Sequence, residues 1–256
     1  MTALVLDCDG VLADTERHGH LPAFNATFAR FGLPARWSED EYAGKLRIGG
    51  GKERMASLFA EPAFAAAVGA GADRAELLRT WHRAKTEAFR DLVAAGRIPA
   101  RPGVARIIGA ALDAGWTVAV ASTSAEESVR AVLTEAVGPA TATRIPVFAG
   151  DVVPAKKPDP AIYRLTVDRL GLDRADTLVI EDSRNGLLAA TGAGLACLVT
   201  VNGYTRDEDF GEAALVVSEL GDPGRPPVEV LANRSGARPG AYLTLDDLRA
   251  CLEGGR

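Results

Sequence analysis

The sequence predicts an α/β fold: a parallel sheet with helices on both faces, interrupted near its start by an inserted helical domain. Three observations carry this. An apolar run from Ala3 to Leu6 stops abruptly at Asp7, Cys8, Asp9 and Gly10. Residues 16–95 are then rich in Ala, Leu, Glu and Arg, read as helical throughout, and hold no convincing strand. From Arg101 onward, short apolar runs alternate with helix-length segments, as parallel strands joined by crossover helices require.

The totals agree with a folded enzyme-sized chain. With 256 residues, 47% hydrophobic and 25% charged, a packed core is within reach and disorder is not expected. A net charge of -5 argues against nucleic acid as the main partner, so an anionic substrate needs a local basic patch. Three Cys (Cys8, Cys197 and Cys251) form no CxxC pair, which suits reduced thiols. Asp7 and Asp9 sit where a secretory segment would be apolar, and no uncharged run is long enough to span a membrane. The expectation is a cytoplasmic protein, with a monomer compatible with the sequence.

In order along the chain, Ala3–Leu6 is the first strand. Leu21, Phe24, Phe28 and Phe31 have helical spacing, with Gly32 and Pro34 as the stop. Ser38 and Glu41 form a capping-box signature. Gly49-Gly50-Gly51 breaks the pattern, and Lys52 to Phe59 resumes it. A long helix runs from about Asp73 to Ala95. After Arg101-Pro102-Gly103, helix Val104–Ala114 leads to strand Trp116–Ala121. Ser124 with Glu127 makes a second capping-box signature for a helix ending near Ala136. Strand Ile145–Ala149 follows. Asp159-Pro160 opens a helix ending near Gly171. Strand Thr177–Ile180 leads into Glu181-Asp182 and a helix to about Gly192. Ala196–Val201 is another strand, and Leu215–Val217 a short edge strand. Thr244-Leu-Asp-Asp opens a last helix. The domains are therefore residues 1–14 with 101–220, an α/β core, and residues 15–100, a helical insert whose two connections suit a hinged lid. Residues 221–256 form an extension, Pro- and Gly-rich up to residue 243.

Candidate chemistry gathers at strand ends. Alternation puts Asp7 and Asp9 on the same side, and two such carboxylates call for a cation. Ser122-Thr123-Ser124, Lys157-Pro158 and Glu181-Asp182-Ser183 follow later strands, and in a parallel sheet all these ends share one edge. Singly, each has a plain structural reading: Ser122 and Ser124 as helix caps, Lys157 as a solvated loop lysine, Asp182-Ser183 as an N-cap. Together they make a poor core and a good phosphate site. Asp7, Asp9 and Asp182 are oxygen ligands of the kind Mg²⁺ prefers. Asp7 can attack phosphorus to give an aspartyl phosphate, with Asp9 as proton donor and then base. Ser122 and Lys157 can hold the non-bridging oxygens.

The motifs Asp7-x-Asp9, Ser122, Lys157 and Glu181-Asp182, in this order, resemble those of the haloacid dehalogenase superfamily over residues 1 to about 220. That resemblance implies a HAD-like Rossmannoid core with a type 1 helical cap. It favours the phosphoryl-transfer branch through Asp9. It further implies Mg²⁺ bound by the Asp7 carboxylate, the Asp9 main-chain carbonyl and Asp182, with Glu181 nearby. The stretches Asp7 to His20, Ile48 to Arg54 and Gly150 to Pro160 look like the CbbY phosphatases, which implies a sugar bisphosphate substrate such as xylulose 1,5-bisphosphate.

Lys45, Arg47, Lys52 and Arg54 flank the glycines at 49–51 and read either as a second anion cradle or as a solvated basic face. His18, His20 and His82 have no metal-ligand spacing. His18 and His20 lie just beyond the nucleophile motif, as substrate contacts or as surface helix residues, and Lys85 on the long helix is placed to reach substrate. The substrate-binding candidates are thus Glu16, His20, Gly49, Gly50, Gly51, Lys52, Arg54, Lys85 and Thr123. The expectation is a Mg²⁺-dependent phosphatase of a small phosphosugar. A β-phosphoglucomutase-like mutase, or an inactive phosphosugar-binding module, is the alternative.

Overall fold

The computed structural model describes residues 1–69 and 71–253. The chain forms two compact units, Met1–Asp14 with Pro99–Arg256, and Thr15–Ile98.

The first unit is built on a seven-stranded sheet in the order β3-β2-β1-β4-β5-β6-β7. Its strands are β1 (Ala3–Leu6), β2 (Thr117–Ala121), β3 (Val147–Phe148), β4 (Thr177–Glu181), β5 (Ala196–Thr200), β6 (Leu215–Val217) and β7 (Val230–Asn233). All neighbours pair in parallel except β6 and β7. The central strands are covered on both faces, which is why β1 and β4 are fully buried, β1 as an unbroken apolar run and β4 with Leu178, Val179 and Ile180 between Thr177 and Glu181. β1 pairs with β2 on one side and β4 on the other. The chain therefore builds outward to β3, then returns to build the other half. The strand order reverses at β1 and β4, where open α/β sheets leave a crevice at the carboxyl ends.

After Asp14 the chain enters the helical unit. It holds α1 (Leu21–Arg30), α2 (Glu39–Lys45), α3 (Gly51–Ala56), α4 (Pro62–Val68) and α5 (Arg74–Ala94). The capping box at Ser38 and Glu41 is present, and Asp73 caps α5 by accepting from the N–H groups of Ala75 and Glu76. Phe24, Phe28, Trp37 and Tyr42 stack and edge-pack into one aromatic core. The segment before α1 is a π-helical turn, Glu16–His20, for which the sequence gives no signal.

Back in the first unit come α6 (Val104–Asp113), α7 (Glu126–Val137), α8 (Pro139–Ala142), α9 (Ala161–Leu170), α10 (Arg184–Gly192) and α11 (Leu245–Glu253). α9 and α10 pack together against β2 to β5, while α6 packs on β2 beside α7 and α11.

The extension is integral to this unit. Arg106 on α6 bonds the carbonyls of Leu220, Gly221 and Leu243, and β7 and α11 complete the sheet and cover β4 and β5. The expectation of β6 as an edge strand is corrected, because β7 pairs outside it and is antiparallel. The third strand is two residues long rather than Ile145–Ala149. The helix after Ser124 begins at Glu126, with Ala125 as N-cap and no side-chain cap bond. Ser124 is therefore not the cap its spacing suggested.

Candidate active site

Asp7 continues β1 by one residue. Its N–H donates to the Ile180 carbonyl at 2.9 Å, so the sheet itself aims the side chain. Ser122 continues β2 in the same way, with its N–H on the Phe148 carbonyl at 3.0 Å. Its Oγ accepts from the Ser124 N–H at 3.1 Å. Lys157 reaches in from the loop after β3. Its Nζ lies 2.6 Å from Asp7 Oδ1, 2.6 Å from Glu181 Oε1 and 3.2 Å from the Ala121 carbonyl. Lys157 is buried, so the solvated-loop reading of it falls.

Asp7, Glu181 and Asp182 form a buried group whose ligand atoms all lie within 4.8 Å of one another. Burial pushes the Asp7 carboxyl up to about 8 against the pull of Lys157, and Glu181 and Asp9 add to the rise. Burial alone would lower the Lys157 ammonium, but Asp7 and Glu181 hold it above its ordinary value. A single ammonium thus leaves this carboxylate group in excess of negative charge. The donor set is all oxygen, and such a set fits a hard divalent cation of the Mg²⁺ kind. Within it, Glu181 is the most engaged: Oε1 accepts from Lys157 and from the Tyr163 hydroxyl, and Oε2 accepts from the Asp182 N–H at 3.2 Å.

Two glycines make this packing possible. Gly10 has φ 75°. A Cβ there would lie 2.0 Å from Asp182 Oδ2 and 2.8 Å from Asn202 Nδ2. At Gly186 a Cβ would lie 1.9 Å from Glu181 Oε2, so only glycine lets α10 approach β4 at that point.

The strand-end rule missed two participants, Tyr163 and Asn202, and took a third, Ser124, for a helix cap. Ser124 donates its hydroxyl to Asp9 Oδ2, which places it on the second aspartate rather than on a helix end. Tyr163, on α9, donates to Glu181 and puts its ring 4.9 Å from Lys157 Nζ. Asn202, just past β5, donates Nδ2 to Asp182 Oδ2 at 2.7 Å. The position of Asn202 beyond a fifth strand end was a readable signal; Tyr163 looks like any core aromatic. Ser183, by contrast, is the plain N-cap its spacing suggested, accepting from the Gly186 N–H at 3.3 Å. Thr123 is half-buried beside Ser122.

The other candidates belong to the helical unit and fall into separate groups there. Glu16 is buried; it accepts from Tyr42 OH at 2.5 Å and from Arg54 NH1 at 3.2 and 3.3 Å. Arg54 also donates Nε to the Ile48 carbonyl at 3.0 Å. Arg54, expected to meet an anion, is paired with Glu16 in this structure. Lys45, likewise expected in the cation cluster, bonds Ser57 Oγ at 3.0 Å and Glu61 Oε1 at 3.4 Å. His20 is buried, stacked on Phe89 at 4.3 Å, with Nδ1 2.6 Å from Lys85 Nζ. His18 is exposed. Gly50 is the N-cap of α3 with φ 95°, and Gly51 is its first residue, where a Cβ would lie 3.0 Å from His82 Nε2. Gly49 and Lys52 flank this turn, both half-buried.

A sequence profile of the haloacid dehalogenase-like hydrolases matches residues 1–194. A CBBY-like protein of Arabidopsis thaliana is 48% identical over 223 residues, spanning 87% of this chain and 70% of that protein. The crystal structure of CbbY from Rhodobacter sphaeroides in complex with phosphate superposes with a TM-score of 0.79 at 39% identity, covering 88% of this chain and 97% of that one. A variant of the same CbbY, solved in complex with xylulose 1,5-bisphosphate, matches equally, with a TM-score of 0.79 at 39% identity over 88% of this chain and 97% of that one. With its motif residues gathered at the carboxyl edge of one sheet and relatives this similar over most of its length, the chain belongs to the haloacid dehalogenase-like hydrolases.

Proposed function

We propose that the protein is a Mg²⁺-dependent phosphatase that removes one phosphate from a small sugar bisphosphate, with xylulose 1,5-bisphosphate as the substrate to test first. The observation that carries it is the buried chain Asp7–Lys157–Glu181 beside Asp182: a nucleophile, a cation and oxygen ligands at one sheet edge. The bisphosphate part rests on similarity to the CbbY whose complex with that compound is known.

In this reading an Asp7 oxygen attacks phosphorus while the bond from phosphorus to the sugar oxygen breaks. Asp9 gives its proton to the departing oxygen. Asp9, now a carboxylate, takes a proton from water; the hydroxide attacks the aspartyl phosphate, freeing inorganic phosphate and restoring Asp7. Ser124 steadies Asp9 through its hydroxyl. Ser122 and Lys157 bind the non-bridging oxygens of the transferring group. Asp7 and Asp182 would hold Mg²⁺, with Glu181 beside them anchoring Lys157. The cation would offset the repulsion between a phosphate dianion and the Asp7 carboxylate.

A phosphate-release screen over sugar mono- and bisphosphates tests this. Release from xylulose 1,5-bisphosphate is expected with Mg²⁺, to vanish in excess chelator, and to return on adding Mg²⁺. Ca²⁺ is expected to substitute poorly, since it accepts looser and higher coordination. Undiminished turnover in chelator would refute the metal assignment. Isomerised sugar phosphate in place of free phosphate would mark a mutase.

Lys52 is assigned to the phosphate that is not cleaved. A charge-assisted contact of this kind is worth about 1.5–3 kcal/mol. Lys52→Ala is therefore expected to lower kcat/KM for the bisphosphate by roughly tenfold to a hundredfold. It should leave a small aryl phosphate nearly unaffected, because that compound has no second phosphate. Equal loss on both substrates would assign Lys52 a general folding role instead.

A further inference from the structure

We infer that Asn202 and Arg101 are positioning residues for the divalent cation, fixing the Asp182 carboxylate against Asp7. The inference rests on the proposed reading of Asp7 and Asp182 as Mg²⁺ ligands.

Asn202 is itself held at both ends of its side chain and backbone. Its Oδ1 accepts from the Tyr204 N–H at 2.8 Å, and its own N–H donates to Thr205 Oγ1 at 3.1 Å. Because an N–H donor occupies the amide oxygen, the amide has one sensible orientation, with its NH₂ facing Asp182 Oδ2 at 2.7 Å. A carboxylate bonded in this way cannot rotate freely about its last torsion.

Arg101 fixes the backbone on either side of this bond. Its NH2 donates to the Val201 carbonyl at 2.7 Å and the Ser218 carbonyl at 2.5 Å. Its NH1 donates to the Thr200 carbonyl at 3.1 Å and to the Gly10 carbonyl. One guanidinium thus ties together the chain just beyond β1, β5 and β6. Gly10 is the residue whose missing Cβ leaves room for Asp182 and Asn202, and Val201 directly precedes Asn202. Asp182 therefore lies between Asn202, which bonds it, and Gly10, which packs close against it, and both segments meet on Arg101. Only a planar, multi-donor fork does this; a lysine ammonium has three donors around one point. The guanidinium also lies close enough to Asp182 for their charges to interact, so a fixed positive charge backs a ligand group that is otherwise self-repelling.

Residues that orient metal ligands without touching the metal typically alter its affinity by about 10- to 100-fold when changed. The test is calorimetric titration of Mg²⁺ into the full chain, as wild type, Asn202→Ala, Arg101→Lys and Arg206→Ala. Arg206 pairs with Glu229 on the surface and serves as the control. Asn202→Ala is expected to weaken the Mg²⁺ Kd by roughly 10- to 100-fold, with Arg206→Ala unchanged. The Mg²⁺ concentration for half-maximal activity should rise by the same factor, with kcat largely recovered at saturating Mg²⁺. Arg101→Lys should move in the same direction. Should that variant fail to fold, Asn202→Ala, a change confined to one loop side chain, carries the test. A lowered melting temperature with an unchanged Kd in Asn202→Ala overturns the inference and makes Asn202 a turn residue only. If the wild-type chain itself binds no Mg²⁺, the underlying reading of the site fails instead.

Discussion

Asp7→Asn is expected to abolish phosphatase turnover, by at least about a thousandfold in kcat, while leaving a folded protein that is no less stable than wild type in the absence of metal. The catalytic half follows from chemistry: an amide has no anionic oxygen with which to attack phosphorus. The stability half follows from electrostatics. Burial raises the Asp7 carboxyl to about 8, so near neutral pH the folded state favours its protonated form, whereas the unfolded chain ionises it near its ordinary 3.8. A group with a raised folded pKa loses stability for the fold as pH climbs from the unfolded value to the folded one. Asparagine, neutral at every pH and nearly isosteric, removes that loss. Thermal melts of the metal-free proteins between pH 5 and pH 8 should show wild type losing stability relative to the variant as pH rises. Full turnover in purified Asp7→Asn would end the nucleophile assignment, and a large drop in its melting temperature would end the electrostatic account.

Much of this was readable in the chain because sheet ends are abrupt. Ala3–Leu6 and Leu215–Val217 were legible to the residue, since buried parallel strands are short unbroken apolar runs. Asp7, Ser122 and Asp182 stand where such runs stop, and that position, more than their identity, predicted convergence. Some elements left no comparable trace. β7 is a short Val-Leu-Ala-Asn stretch within a Pro- and Gly-rich segment, and its residues are exposed or half-buried, so its three apolar residues read as part of a loop. The π-helical turn at Glu16–His20 has no residue signature of its own. Ser124 carried the right spacing for a cap, but a tertiary partner, Asp9, took its hydroxyl and the helix began two residues later. Arg54 and Lys45 looked like free cations because their partners, Glu16 at a distance of 38 residues and Glu61 at 16, are not visible as local patterns. Charge in sequence is local; charge balance in the fold is not.

Lys157→Met should damage both stability and catalysis, and the two losses should separate with pH. Methionine keeps the length of the stem and removes the ammonium, which leaves Asp7 Oδ1 and Glu181 Oε1 without the group now 2.6 Å from each. Removing one partner of a buried charge pair costs roughly 3–5 kcal/mol, because the remaining charge is stranded. For a chain of this size that corresponds to a fall in melting temperature on the order of 10 °C. The stranded charge can be discharged by a proton, and the sign is set by Asp7: without Lys157 its carboxyl, already raised, rises further. The penalty is therefore full above the folded pKa of Asp7 and relieved below it, so the gap in melting temperature between variant and wild type should narrow as pH falls from 9 toward 5. Added Mg²⁺ should narrow it too, by offsetting the same carboxylates. Catalysis should recover under neither condition. Loss of one preorganised donor to the transferring oxygens costs about 10²–10³ in kcat, and a protonated Asp7 attacks nothing. Melts across pH, with and without Mg²⁺, paired with single-turnover phosphate release, read both quantities. A stability gap independent of pH would mean that Lys157 acts by packing against Tyr163 rather than by charge, and a variant retaining wild-type kcat would remove Lys157 from the phosphoryl site.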